Sequence, residues 1–551
     1  MKRVLIASLA VLAGCATVSG EGEDAADFRR SRAGPSSPRD DRVLLTQFNY
    51  VTGVAVSRRM VFVATEQGLG LLDRQFGNWL SPVTEADGYR SGHVSAVAAD
   101  PVEDAVWVAT PGSLLYYRSF VNSATNAIVP GVIDLIMFDR RDPSIGAYVR
   151  SSGTWLIASR SGSVSQVSPE LLPPPSAREF PSTIQRVYAE FPQLETFSGL
   201  LTRDGDMQTW PVSAAARTPD VSEVWLGTRG NGVYKVDPLF NVANHFPFGL
   251  LEEGAGALAP AADGMWIGGL GRGIVRRSGL TFASTDLQRW RWLEGPLARP
   301  LTGARVYDLS VRGSSAWMAT DRGVARMDTR NDNAFVMWNM ASGLPSDDAR
   351  ALAVTEVGAW VGTSRGLVFV TDTGNQRAAR RGVVSRTVAE GTAVRSLLLT
   401  GDTLWIGSDA GLLLLRAADS APRRPAAAAI ESRLTRPVRA LARADSMVVV
   451  TTDNDIFRFS TNSGQLAARD ATLDVGVVRG VTALAADAQT IWVAGLAGIL
   501  VISRASGVSR FFGNTEIGGE AYDLQLDPDF AWIATSGGVL RLRRLADGTV
   551  R

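Results

Sequence analysis

Along most of the chain, short apolar runs alternate large residues with small or polar ones. Each run breaks at a glycine-bearing turn and is followed by a second apolar run. "AWVGTSRGLVFV", starting at Ala359, shows the form. Alternation at period two predicts a half-buried strand, and Ser-Arg-Gly between two such runs predicts a hairpin with Gly366 at the permissive position. The phrase recurs from Val61, Val106, Ala147, Val224, Met265, Ala316, Leu404, Val448, Ile491 and Ala531, eleven copies with the one at Ala359. About ten residues upstream of many copies lies another short apolar run, such as "VSAVAAD" from Val94, "ARALAV" from Ala349 or "VRSLLL" from Val394. Downstream comes a more variable run, often with an aromatic, as in "AFVMWNM".

Four short strands repeating every 40 to 51 residues predict the blades of a β-propeller. The repeated tryptophan is expected to fill the wedge between neighbouring blades, a surface one blade alone could not bury. One interval, Tyr148 to Trp225, is 77 residues long, and a degenerate twelfth copy is expected around "RVYAEF" and "SGLLTRDGDMQTW". The fold class is therefore all-β, with 11–12 four-stranded blades over 43–551. That exceeds the usual size of one ring, so two rings are expected, the second inserted into or following the first. "RVLLTQF" from Arg42 has no blade of its own, and the last copy runs out before a fourth strand. Pairing of the two would close the last blade and remove an exposed edge.

The first residues change the picture of location. Lys2 and Arg3 precede an apolar stretch, Val4 to Ala13, too short to span a bilayer, and this closes on Leu12-Ala13-Gly14-Cys15. The segment looks like a bacterial lipobox, with residues 1–14 a signal peptide and Cys15, the sole cysteine, the lipidated residue. Multiple acylation there would anchor the chain stably. Ala16 stands where an Asp would mark inner-membrane retention in enteric bacteria, so the outer membrane is the expected site. Residues 15–42 carry Gly, Ser, Pro and mixed charge with few large apolar groups and read as a flexible tether. Formal net charge is +1, with Lys only at Lys2 and Lys235, so no basic field argues for nucleic acid.

The consensus Trp-Ile-Gly-Thr-x-x-Gly-Leu-x-Arg-x-Asp resembles the two-component-regulator propeller repeat of periplasmic sensor regions in hybrid histidine kinases. Trp225, Gly227, Thr228, Gly232 and Asp237 match it, as do Trp317, Thr320, Gly323, Arg326 and Asp328. The resemblance implies an extracytoplasmic ligand-binding or interaction propeller, a carbohydrate sensor in several relatives. No kinase or DNA-binding domain follows the last copy, so a sensing or scaffolding part alone is expected.

Candidate chemistry is sparse. His93 and His245 stand far apart, the first before an inner strand and the second in a loop, and they read as packing or loop residues; no metal-ligand spacing and no cofactor motif is present. "TRDGDMQTW" is a single off-register relative of the sialidase Asp-box and reads as a turn. "TDND", Thr452 to Asp455, fills a hairpin turn. One column stands out. Arg272, Arg322 and Arg365 precede hairpin glycines in three successive blades, and Arg350, Arg395 and Arg439 begin three successive inner strands. These positions share one face of a propeller, so the six could form a basic arc suited to carboxylate or phosphate. The plainer reading is exposed turn arginines paired with aspartates such as Asp347 and Asp348. The expected function is a non-enzymatic outer-membrane lipoprotein propeller: a scaffold for an envelope protein, or a module for an extracellular ligand such as a glycan. The alternative is a surface polysaccharide lyase or glycoside hydrolase, which would need clustered Asp, Glu, Tyr or His on one rim.

Overall fold

The computed structural model describes residues 41–550, apart from 84–91, 101–102, 120–122, 129–132, 139–144, 150–153, 161–163, 168–182, 219, 221–222, 273–276, 278, 373–383, 427–431, 462–464, 471–474, 546–547 and 549. Cys15 and its tether thus lie outside the described residues. Each copy of the phrase builds an antiparallel sheet, giving eleven sheets among the described residues, ten of four strands and one of three. The fold is a β-propeller.

The phrase dictates its own hairpin. In the blade formed by Val306–Arg312, Ser315–Thr320, Gly323–Asp328 and Asn331–Trp338, the Thr320 hydroxyl donates to the Gly323 carbonyl at 2.8 Å and accepts the Arg322 N–H at 3.1 Å. Gly323 has φ 117°, and a Cβ there would stand 2.2 Å from the Trp338 carbonyl oxygen. Thr363 with Gly366, Ser408 with Gly411 and Thr535 with Gly538 repeat the contact. The small residue between the aromatic and the Thr has another cause. A Cβ on Gly362 would lie 2.5 Å from Val394 Cγ1, on the inner strand of the next blade. Blades approach closely there, and only glycine leaves the room.

The expected wedge is present. Trp317 stacks on Trp338 with ring centroids 5.1 Å apart and packs with Leu352, Val361 and Val368 of the following blade. Trp405 does the same against Val438, Val450 and Phe457, and Trp492 against Leu524, Ile533 and Leu540. All three are essentially buried.

The sheets divide between two compact units. The larger, residues 41–47, 249–286 and 291–551, is a closed ring of seven blades: each inner strand neighbours the next, and Glu253–Ala261 of its first blade neighbours both Val306–Arg312 of its second and Ala521–Leu526 of its last. Arg42–Leu45 pairs with Gly538–Arg543, Arg42 opposite Leu542 and Leu45 opposite Val539, so the N-terminal strand completes the last blade as expected. The other unit, residues 48–248 with 287–290, is therefore inserted in the chain between that strand and the blade at Glu253–Ala261. It holds four sheets, with inner strands at Val51–Val56, Ala96–Ala99, Ile133–Phe138 and Val212–Arg217.

The twelfth copy is a correction. Its place is taken by two helices, α1 (Thr183–Glu190) and α2 (Pro192–Leu201). Val187, Leu194 and Leu201 bury against Ala215, Val224, Leu226 and Tyr234, so the pair covers the sheet face that another blade would cover. The reason is periodicity: Ile184, Val187, Tyr188 and Phe191 fall at helical spacing, with no glycine hairpin to break the run.

Candidate ligand-binding rim

In the seven-bladed unit, the hairpin turn and the start of the inner strand lie on one rim. Backbone N–H groups of Asp321, Ser364, Asp409, Leu496 and Ser536 donate to the carbonyls of Arg305, Asp348, Ala393, Arg479 and Glu520, each just ahead of an inner strand. On this rim most inner strands carry an irregularity after their first paired residue: between Val306 and Asp308, Ala349 and Ala351, Val394 and Ser396, Val481 and Ala483, Ala521 and Asp523. A bulge re-aims the extra side chain away from the pleat. The residues in that slot are Tyr307, Arg350, Arg395, Thr482 and Tyr522, with Arg439 in the corresponding place of the fifth blade and Gly256 in the first.

All six sequence-predicted arginines belong to this unit, but they divide into two sets. The inner-strand set is ion-paired. Arg350 grips Asp348 at 2.8 Å, Arg395 meets Asp409 at 2.5 Å, and Arg439 meets Asp453 at 2.8 Å while standing 3.9 Å from Asp409. Hydrogen bonding from Arg395 holds the Asp409 carboxyl below its usual range, and the Asp348 and Asp453 bonds raise Arg350 and Arg439. The arc is thus an alternating ladder of cation and anion over three blades. The hairpin set is exposed: Arg322 donates to the Pro300 carbonyl at 3.1 Å, Arg365 caps a turn with its backbone, and Arg272 lies within electrostatic reach of Tyr522.

Sequence reasoning missed three further residues. Arg305 places its guanidinium 5.0 Å from the Tyr307 ring centroid and 4.5 Å from that of Tyr522, and Arg350 lies 5.6 Å over Tyr307. Gly256 holds the slot of the first blade, which stands between the last and the second, and a Cβ there would lie 2.2 Å from the Val306 carbonyl oxygen. Burial and the Glu520 carboxylate, to which its O–H donates, raise the Tyr522 phenol, so it stays protonated and serves as a donor. The bulge slot was the available signal: "VYDLS" and "AYDLQ" are two copies of one phrase. Arg305 lies outside that slot and had no such mark.

One residue further along the same strands stand two half-buried carboxyls. Asp308 accepts the Leu352 N–H and Asp523 the Leu258 N–H, both at 2.7 Å, so each ties its blade to the next. Burial pushes Asp308 up to about 7 and Asp523 up to about 8, the Asp308 charge adding to the latter.

The remaining sequence candidates are structural. His245 lies on the strand Val242–Phe246, not in a loop, stacks on Tyr234 and bonds the Asn231 carbonyl at 2.9 Å. It belongs to that strand because it alternates with neighbours paired to Val233–Asp237. His93 precedes an inner strand, as expected. In "TRDGDMQTW", Asp204 accepts from Trp210 Nε1 and the Gln208 N–H, both at 2.8 Å, which makes the segment a turn. In "TDND", Asp453 and Asp455 pair with Arg439 and Arg433. Among the described residues no group of His, Cys, Asp and Glu could hold a metal, and no helix is long and apolar enough to cross a membrane.

No family model matches the sequence, and no curated protein does. Solved structures with similarity include the extracellular domain of the one-component system BT4673 from B. thetaiotaomicron, at 12% identity and TM-score 0.41, over 91% of this chain and 71% of that one. Virginiamycin B lyase from Staphylococcus aureus aligns at 14% identity and TM-score 0.41, over 53% of this chain and 96% of that one.

Proposed function

We propose that this chain is a non-enzymatic propeller lipoprotein of the bacterial envelope, anchored through Cys15 in the outer membrane, whose seven-bladed unit recognises an extracytoplasmic ligand at the rim of its inner strands. The observation that carries the reading is the concentration of Arg305, Tyr307, Arg350, Arg395, Arg439 and Tyr522 on one rim. Arginine and tyrosine are the side chains that most often carry recognition energy. Ion pairing to Asp348, Asp409 and Asp453 holds the long arginines in place, so less freedom is lost when a ligand binds.

A second reading, docking of an envelope protein, draws on the inserted unit. Phe76, Leu239 and Phe240 sit on turns with 64, 81 and 76% of their surface exposed, apolar side chains of the kind a protein partner covers. The lyase or hydrolase alternative would draw on Tyr307, Tyr522 and Glu520 with Asp308 and Asp523 one residue deeper, and turnover of a polysaccharide by the full chain would favour it over binding alone.

A crosslinked pull-down of the lipidated protein from its own envelope tests the proposal, with Cys15→Ala as the unanchored control and the Arg350→Ala, Arg395→Ala double variant as the rim control. Recovery of a ligand or partner that needs both the anchor and the two arginines is expected. Equal recovery by a folded double variant would remove the rim from the account.

A further inference from the structure

We infer that Arg305 is the anion-recognition residue of this rim and that its ligand carries a single carboxylate. The inference deepens the rim reading and rests on it. Three inner-strand arginines on the rim have an aspartate of their own: Arg350 with Asp348, Arg395 with Asp409, Arg439 with Asp453. Arg305 does not. Its guanidinium lies over the rings of Tyr307 and Tyr522, at 5.0 and 4.5 Å. Its Nε is buried with no hydrogen-bond acceptor, and no described residue accepts from the rest of the guanidinium. A buried donor without a partner is costly, and guanidinium donors lie in the plane of the group, so an acceptor would meet its forked edge rather than a face. A carboxylate matches that edge with two parallel hydrogen bonds.

The surroundings limit the ligand's charge. Asp321 is close, but its carboxylate accepts the Arg305 backbone N–H at 3.1 Å and the guanidinium gains no bond from it. Glu520 takes the Tyr522 hydroxyl, and Asp308 and Asp523 lie one residue deeper, held by backbone N–H groups of neighbouring blades. Arg272 and Arg350 supply positive charge on either side, Arg350 already bound to Asp348. A dianion such as phosphate would face the Asp321 and Glu520 carboxylates; a monoanion is balanced by Arg305 itself.

The experiment is calorimetric titration of the full chain with benzoate and glucuronate, two unrelated carboxylates, against benzamide, glucose and inorganic phosphate. Both carboxylates should bind at least about tenfold more tightly than their neutral counterparts and than phosphate. Arg305→Gln should lose that advantage with unchanged melting temperature. Arg305→Lys, which keeps charge without the fork, should lose part of it. If Arg305→Gln does not fold, protection of Arg305 from phenylglyoxal by benzoate in the unaltered protein, read by mass spectrometry, is the replacement. Carboxylates that bind no better than neutral analogues, binding indifferent to Arg305→Gln, or modification of Arg305 unaffected by benzoate would each overturn the inference. Loss of the partner in the Arg350→Ala, Arg395→Ala variant alongside any of these results would leave the rim reading standing without Arg305.

Discussion

The two units share a repeat yet use one position differently. In the inserted unit the slot after the first paired residue of the inner strand holds Thr52 and Ser213, with Asp134 at the same register position of another sheet and Ser95 just ahead of the strand Ala96–Ala99. The Thr52 hydroxyl donates to the Val94 carbonyl at 2.5 Å and Ser213 to the Val51 carbonyl at 2.6 Å, each a stitch from one blade to the next. In the seven-bladed unit Thr482 keeps that role, donating to the Ala521 carbonyl at 2.8 Å. Gly256 leaves the slot empty in the first blade, and in the others it holds Tyr307, Arg350, Arg395, Arg439 and Tyr522, side chains too long to stitch. A bulge near the start of the inner strand recurs in most blades of both units, and what it points at is free to vary. Where a short hydroxyl stands, the slot adds cohesion; where an arginine or tyrosine stands, it builds a recognition surface.

The comparison assumes that the wedge is common to both units and the slot alone differs. Trp225→Ala and Trp317→Ala test that assumption, and they should have the largest effects. Both tryptophans are buried to within 2% of full coverage. Each truncation should cost about 3–5 kcal/mol, by lost transfer energy and the cavity left behind. Hydrogen exchange should place the loss among residues 51–246 for Trp225→Ala and among 253–543 for Trp317→Ala. Unequal costs, or a loss spread evenly over the chain, would mean that the wedge is not the shared device.

The next effect belongs to the seven-bladed unit. Asp308 and Asp523 hold their protons to about pH 7 and about pH 8, and Glu252, buried with the Gly271 N–H at 3.1 Å, to about 8. Burial is the leading cause for all three. An unfolded carboxyl releases its proton near pH 4. Each of these groups binds its proton more tightly folded than unfolded, so its contribution falls as pH climbs from about 4 toward 8. Melting of the unit, followed by hydrogen exchange, should therefore be higher at pH 5.5 than at pH 8 (two settings within roughly that window). Asp308→Asn with Asp523→Asn should flatten the slope, with part of the effect muted because both groups are only half-buried. A slope that survives the double substitution would leave Glu252 as its source.

The blades were legible because the phrase encodes its own physics: the aromatic for the wedge, glycine for close approach, Thr and Gly for the hairpin. Closure by Arg42–Leu45 was legible because a strand without a blade and a blade without a strand left one pairing. The helical pair was not, because Ile184, Val187 and Phe191 recur at period 3.6 within a chain otherwise written at period two. On the rim, the arginines Arg350, Arg395 and Arg439 drew notice by charge, and their aspartates were partly foreseen through Asp348. Tyr307 and Tyr522 occupy the same column but carry no charge to mark them. Arg305 acquires its role only from rings on two different blades, a relation that no spacing along the chain records.

The smallest effects distinguish stitch from recognition most directly. Thr52→Val removes the hydroxyl that reaches the Val94 carbonyl and should cost about 1 kcal/mol, the usual net worth of one such hydrogen bond, with no effect on ligand. Arg395→Ala should cost less than about 1 kcal/mol, because Arg395 and Asp409 keep 29% and 40% of their side-chain surface in solvent and Asp409 still has Arg439 at 3.9 Å. Added salt should shrink that cost further and leave the Thr52 cost unchanged. Rim binding should respond in the opposite order, falling for Arg395→Ala and holding for Thr52→Val. A Thr52→Val variant that weakens binding as much as Arg395→Ala would show that the slot acts through blade cohesion in both units, and the division of labour between them would then have to be sought elsewhere than in the bulge.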